Sequence, residues 1–176
     1  LVQAALVLLE EGGATELSLR AAARRAGVST AAPYRHFADR DALLSAVAAV
    51  GYRDLAAQLA AANPSPETPD DLADIAIAYV NFALQRPGLF RAMFAEPCDP
   101  TSPERVAAVE AISEYLRSIV RQALPTSDPE ATANAVWALV HGLAFLHLDG
   151  KFDASSPDTV ASTVRAAVAA VLGQLA

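Results

Sequence analysis

The residues best equipped for chemistry lie between Ser18 and Arg40. Arg20, Arg24, Arg25, Arg35 and Arg40 stand there against a single acid, Asp39, interleaved with Ser18, Thr30, Tyr34 and His36. Guanidinium, hydroxyl and imidazole groups crowded onto one short stretch suit phosphate oxygens and the edges of bases. The stretch has a local balance of +4, whereas the rest of the chain holds 8 basic and 19 acidic residues. The overall charge of −7 therefore conceals a small basic reader attached to an acidic body that is unsuited to nucleic acid. A lone arginine on a short helix is usually just solvated. What favours DNA here is the joint occurrence of several beside one turn.

Other chemistries find little support. His141, His147, Asp149 and Cys98 are the side chains an active site would have to use. The chain nevertheless lacks a nucleophile elbow, a histidine pair flanking a glutamate and a phosphate loop. We expect neither an enzyme nor a cofactor or metal. Cys98, the one cysteine, cannot close an intramolecular disulfide and points to a reducing, cytoplasmic setting. In its proline-rich loop it reads as incidental rather than as a redox sensor. The longest apolar run, Ala133 to Leu148, is interrupted by His141 and His147, so no membrane span is expected. No basic segment precedes an apolar core at the start, as a signal peptide would need. The chain begins at Leu1 already in a helical pattern, and a flexible N-terminal extension is expected ahead of it.

The elements that must position these groups are helices throughout. With 53% hydrophobic and 19% charged residues the chain is globular and can bury about 70% of its unfolded surface without staples. Nine helices are expected, giving an all-α fold. Leu1 to Glu11 puts Val2, Ala5, Leu6 and Leu9 on one face and stops at Gly12-Gly13. Ser18 caps a short helix, Leu19–Ala26, with Leu19, Ala22, Ala23 and Ala26 on one face. Ser29 or Thr30 caps the next, which runs through Phe37, and Asp39 opens a long one to Ala62 with Leu43, Leu44, Val47 and Val50 inward. After a proline-rich loop, Asp70 and Asp71 favour the start of a helix to Arg86. Further helices are expected at Pro87–Phe94, Glu104–Leu124, Pro129–Leu148 and Pro157–Leu175.

Two short helices across Gly27-Val28-Ser29 make a helix-turn-helix pattern. Ala23 is small where the helices would cross, Gly27 permits the turn, and Val28 is expected to plug the wedge between them. The second helix can then lay its N-terminal residues in a major groove about 12 Å wide. Pro33 falls in or just past the first turn of that helix, where a missing N–H costs least, and should leave the helix in place.

The run from Ser18 to Leu44 resembles the DNA-binding domain of the TetR family, through Ala26-Gly27-Val28-Ser29, Tyr34-Arg35-His36-Phe37 and Arg40-Asp41 followed by Leu43-Leu44. The resemblance implies base-facing positions at Thr30, Ala31, Ala32 and Arg35, with Arg20 reaching a base or phosphate. It implies phosphate contacts at Ser18, Tyr34, His36 and Arg40, the last replacing a commoner lysine. It also implies a three-helix DNA-binding domain over residues 1–46 and a regulatory domain over 47–176.

In the body, the segment from Asn134 to Gly142, with Trp137, His141 and Gly142, is similar to the WHG-type C-terminal domain of one TetR subgroup, as is Pro87-Gly88-Leu89-Phe90. That likeness implies a homodimer through the last two helices, whose Val160, Val164, Ala167, Val168, Val171 and Leu175 suit a four-helix bundle. Gly142 suits a close approach of another helix. Tyr79, Phe82, Phe90, Met93, Phe94, Tyr115, Trp137, His141 and Phe145 are, as a set, candidates to line a pocket for a small apolar effector, though each alone reads rather as core. His141 would then bond a ligand or satisfy a buried partner. The expectation is a repressor released from a palindromic operator by its effector. An activator of the same fold, or a helical scaffold without DNA binding, are the alternatives.

Overall fold

The computed structural model describes residues 1–96 and 98–172, and its regular elements there are all helical. They are α1 (Val2–Gly12), α2 (Leu19–Arg25), a 3-10 helix (Pro33–Arg35), α3 (Arg40–Ala62), α4 (Pro69–Gln85), α5 (Pro87–Phe94), α6 (Pro103–Ala123), α7 (Pro129–Leu148) and α8 (Pro157–Leu172). Eight α-helices and one 3-10 turn thus stand where nine helices are expected. Leu175, expected on the last helix, lies outside the described residues.

Each of α4 to α8, α6 included, begins on a proline, whose fixed φ suits the first helical position and whose missing N–H would find no partner there anyway. Side chains close several of these starts. The Asp128 carboxylate accepts from the Ala131 amide at 3.0 Å for α7, and the Ser156 hydroxyl accepts from Thr159 at 3.1 Å for α8. At α4 the cap is reciprocal. Asp71 donates its amide to the Thr68 hydroxyl at 3.2 Å, while its carboxylate accepts from the Thr68 amide at 2.9 Å. From sequence, Asp70 and Asp71 are charges answering the helix dipole; in the structure Asp71 is a capping residue.

The helices gather into two compact units, one of Leu1–Asp54 with Arg86–Glu110, the other of Leu55–Gln85 with the described residues from Ala111 onward. Both α3 and α6 begin in the first unit and end in the second.

In the first unit α1 packs against α2 and α5. A Cβ on Gly88 would lie 2.6 Å from the Leu9 carbonyl carbon, so α5 meets α1 backbone to backbone. Polar clips add to this. Tyr52, almost fully buried, donates its hydroxyl to the Met93 carbonyl at 3.2 Å. Ser45, fully buried on α3, donates to the Asp41 carbonyl at 2.9 Å and accepts from the Asp99 amide at 2.8 Å.

In the second unit α4 packs against both α7 and α8. The buried face of α8 is a ridge at four-residue spacing, Val160, Val164, Val168 and Leu172, of the kind that interdigitates with a neighbouring helix. Arg165 forks to Asp70 at 2.8 Å and Asp74 at 2.6 Å, and all three are exposed enough for the pairs to contribute little. Among the described residues α7 is the one helix long and apolar enough to cross a membrane by length and composition. Its mean hydropathy is 1.3 over an apolar window of which only 33% is buried. Added to Gly142 on α7, a Cβ would meet nothing within 4 Å, so among the described residues no other helix makes the expected close approach there.

Candidate nucleic-acid interface

The reader is built from three local devices. Ser18, in extended conformation, accepts from the Ala21 amide at 3.1 Å and starts α2. At the other end Gly27 takes φ of 69°, a left-handed value that a side chain rarely adopts. The Val28 amide reaches back to the Ala23 carbonyl at 3.1 Å and Gly27 to Arg24 at 3.2 Å, closing the helix by the Schellman pattern. Asp39 then caps α3, accepting from the Ala42 amide at 2.8 Å. Leu19, Ala22 and Ala23 are buried as expected, where a larger residue would push the helices apart, but Ala26, expected on the same face, lies past the end of α2 and is exposed.

Two expectations fail here. Residues 30–37 do not form an α-helix. Ala32 bonds Ser29, Arg35 bonds Ala32 and His36 bonds Pro33, all across three residues. Pro33 is the physical reason. An α-helix capped by Ser29 would take its first bond from the amide of residue 33, which proline lacks. The chain tightens into a turn followed by Pro33–Arg35 in 3-10 form, with Pro33 buried. Nor does Val28 plug a wedge, being 44% exposed at the rim of a recess lined by Val2, Ala32, His36 and Phe37. Its reversal after Gly27 carries it outward.

The sequence-predicted contacts are presented unevenly. Thr30, Ala31, Tyr34, Arg35 and His36 are exposed, Tyr34 by 55%, while Ala32 is half-buried. Ser18 and Arg20 are exposed on α2. Among the described residues Arg20, Arg24 and Arg35 make no ion pair or side-chain hydrogen bond, leaving three exposed cations for a polyanion. Arg25 differs, gripping Glu11 through both terminal nitrogens. Arg40 differs most. Its Nε donates to the Leu17 carbonyl at 3.2 Å, and a terminal nitrogen donates to the Ala14 carbonyl at 2.8 Å and faces Glu96 at 3.4 Å. Arg24 lies beside the expected contacts, but the family likeness assigns it no role; its exposure is the signal that adds it.

The nine candidates for an effector pocket are divided between the two units. Phe90, Met93 and Phe94 belong to the first unit, where Phe90 and Met93 are buried. Tyr79, Phe82, Tyr115, Trp137, His141 and Phe145 belong to the second. There the Tyr79 hydroxyl, on a nearly inaccessible side chain, accepts from the Trp137 indole at 3.3 Å and lies 3.0 Å from His141 Nδ1. Of the two roles the sequence left open for His141, a buried partner is present. Burial lowers the His141 pKa from its ordinary 6.5 and raises that of the Tyr115 phenol. Phe145 stacks edge-on against His141 at 4.9 Å. His147 is a satisfied core histidine in part, its Nδ1 2.8 Å from the Leu143 carbonyl.

One cavity in this unit is almost wholly aliphatic. Tyr79 is the one expected residue on its wall, beside Leu59, Leu72, Ile75, Leu116, Val136 and Val168. Its free volume is about 20 Å³, room for one water-sized sphere. The helical spacing of Leu72, Ile75, Ala76 and Tyr79 on α4 is the signal in the sequence, and a search for aromatic residues bypasses it.

Comparison with known proteins agrees with this architecture. The family model described as "Bacterial regulatory proteins, tetR family" matches residues 1–47, and "Tetracyclin repressor-like, C-terminal domain" matches residues 72–171. A protein with unknown function from Rhodococcus sp. RHA1 is 33% identical over 97% of this chain and 92% of its own, with a TM-score of 0.80. A TetR transcriptional regulator from the same organism is 24% identical over 99% and 94%, with a TM-score of 0.64. PfmR, a TetR family transcriptional regulator from Thermus thermophilus, is 20% identical over 98% and 96%, with a TM-score of 0.68. A search of curated proteins finds no match. With a helix-turn-helix head, an all-helical body and family models spanning both, the chain belongs to the TetR family of bacterial regulatory proteins, which are regulators and not enzymes.

Proposed function

We propose that this chain is a cytoplasmic repressor that binds a palindromic operator as a homodimer and leaves it when a small apolar effector enters the body. The observation that carries the DNA reading is the set of exposed Arg20, Arg24 and Arg35 around the Gly27 turn, unpaired among the described residues, with Thr30, Tyr34 and His36 exposed beside them. The proposal gives base reading to Thr30, Ala31 and Arg35, phosphate contact to Ser18, Tyr34 and His36, and either role to Arg20. It gives residues 1–46 the reading and 47–176 effector binding and dimerisation.

Dimerisation through α7 and α8 draws support from apolar surface that this chain leaves open. Leu146 is 39% and Val171 44% exposed, and Gly142 faces open space. A second copy laid there would bury a surface that is otherwise a liability. It would also supply the second reading head that two half-sites about one DNA turn apart require.

The effector is assigned to the aliphatic cavity beside Tyr79, with the Trp137–Tyr79–His141 chain as its polar edge, in keeping with the WHG-type likeness. At about 20 Å³ that cavity must open before a drug-sized molecule fits. A ligand that binds the opened form better than the closed one has the differential affinity that allostery needs. The route to the head lies along α3 and α6, continuous through both units.

Selection of operators from random duplexes tests the central claim, at roughly physiological salt of about 150 mM. A purified protein with no preference over random DNA would end it. With a site in hand, Arg35→Ala should cost about 1–3 kcal/mol and relax the choice at one base pair. Uniform weakening over all sequences would reassign Arg35 to phosphate.

A further inference from the structure

We propose that Arg40 is a positioning residue of the reading head and not one of its phosphate contacts; the inference rests on the DNA-binding reading above. Arg40 opens α3, and three of its five N–H groups are already directed at protein atoms, the carbonyls of Ala14 and Leu17 and the Glu96 carboxylate. The other terminal nitrogen lies 3.8 Å from the Asp41 carboxylate. Two carboxylates within 4 Å of one guanidinium offset its charge locally and weaken its pull on a phosphate. The contrast with Arg20, Arg24 and Arg35, which have no acidic partner among the described residues, lies within the same unit.

The consequence follows from what the two carbonyls belong to. Ala14 and Leu17 bracket the loop between α1 and α2, and buried Leu17 directly precedes Ser18, the cap that starts α2. Arg40 thereby sets where α2 begins relative to the first turn of α3, with Glu96 tying in the segment after α5. Only a planar fork reaches two carbonyls and a carboxylate together. The compact ammonium of lysine has the charge without that geometry.

The salt dependence of operator binding separates the two roles. For every phosphate that a variant no longer neutralises, the slope of log K against log salt falls by about 0.9. Arg40→Met and Arg40→Lys should both weaken binding by about tenfold, the scale of one charge-assisted bond, with the slope of the wild type unchanged. Glu96→Gln removes a negative charge and so cannot weaken DNA binding electrostatically. It should nevertheless weaken binding two- to threefold, about the scale of an exposed pair. In all three, amide exchange over residues 14–17 should quicken in the DNA-free protein while α7 is unaffected. A lysine variant that binds like the wild type, a methionine variant with a reduced slope, or a Glu96→Gln protein that binds more tightly would each overturn the proposal. If Arg40→Met fails to fold, the lysine and Glu96→Gln proteins still decide it. If the wild type selects no duplex, the DNA reading fails, and amide exchange alone decides whether Arg40 holds the loop.

Discussion

In the unit that carries the reading head, side chains reach across to backbone atoms: Arg40 to Ala14 and Leu17, Tyr52 to Met93, Ser45 to Asp99. In the other, α4 meets α7 and α8 mainly through aliphatic faces; among its polar contacts are the Tyr79 hydroxyl shared by Trp137 and His141 and one clip from the Gln58 amide to the Ala78 carbonyl at 3.2 Å. The difference matches the two tasks proposed for them. A reader must hold donors within about half an ångström of their targets, and a hydrogen bond to a carbonyl has one geometry or none. Branched aliphatic faces hold helices together over a range of small displacements, which an effector cavity needs if it is to open.

The largest test of this contrast is at the tightest backbone approach. Gly88→Ala places a methyl against the Leu9 carbonyl, where nothing flexible can give, and should destabilise the first unit by about 3 kcal/mol. Amide exchange would locate the loss in α1 and α5. An alanine tolerated without change would mean that these helices slide as freely as those of the second unit.

Next in size is the polar junction of the body. Tyr79→Phe removes the hydroxyl shared by Trp137 and His141 and should cost about 1–2 kcal/mol, read as a lower urea midpoint at unchanged m. Half-buried Trp137 and His141 can recover part of their bonding from water, which keeps the figure modest. No loss at all would mean that this junction contributes nothing to the stability of the second unit.

A smaller effect is expected at Gly142. Alanine there meets empty space in this chain and should stabilise α7 by up to about 1 kcal/mol through helix propensity. The same methyl should weaken self-association if a second copy approaches that glycine, so sedimentation and thermal melting should move in opposite directions. Stabilisation with undiminished dimers would move the interface elsewhere on the body.

What was legible in the sequence was the part written in local signals. Proline and Gly27 marked the punctuation, and α7 runs from Pro129 to Leu148 as its spacing predicts. The misses involve partners far along the chain or choices between neighbouring geometries. Ala14 and Leu17 hold Arg40 through carbonyls that every residue carries, so no residue type announces them. Counting the missing N–H of Pro33 as cheap in a first turn overlooks that it is the one donor that would close the first α-helical bond after Ser29. That Phe90, Met93 and Phe94 share a unit with the reading head follows from α5 packing on α1 through Gly88, a contact between segments almost eighty residues apart.

Acid should separate the two units by the mildest effect of all. Burial favours neutral His141, so its folded pKa lies below the 6.5 of the unfolded chain, which takes up the proton first. The contribution to stability is therefore whole above 6.5 and is lost as pH falls through the lowered value. In the first unit the Asp99 carboxylate is held below its ordinary 3.8 by the Thr101 hydroxyl and then the Thr101 amide. Its contribution persists above 3.8 and goes only as pH falls through that lower value. Acidification from pH 8 to 5 should thus lower amide protection factors, taken against the intrinsic exchange rate at each pH, in α4 and α7 before it touches the loop around Asp99, by little, because His141 is only half-buried. His141→Gln should remove the difference. If the two units instead loosen together, the His141 imidazole is not what distinguishes them, and the softness of the body rests on its aliphatic packing alone.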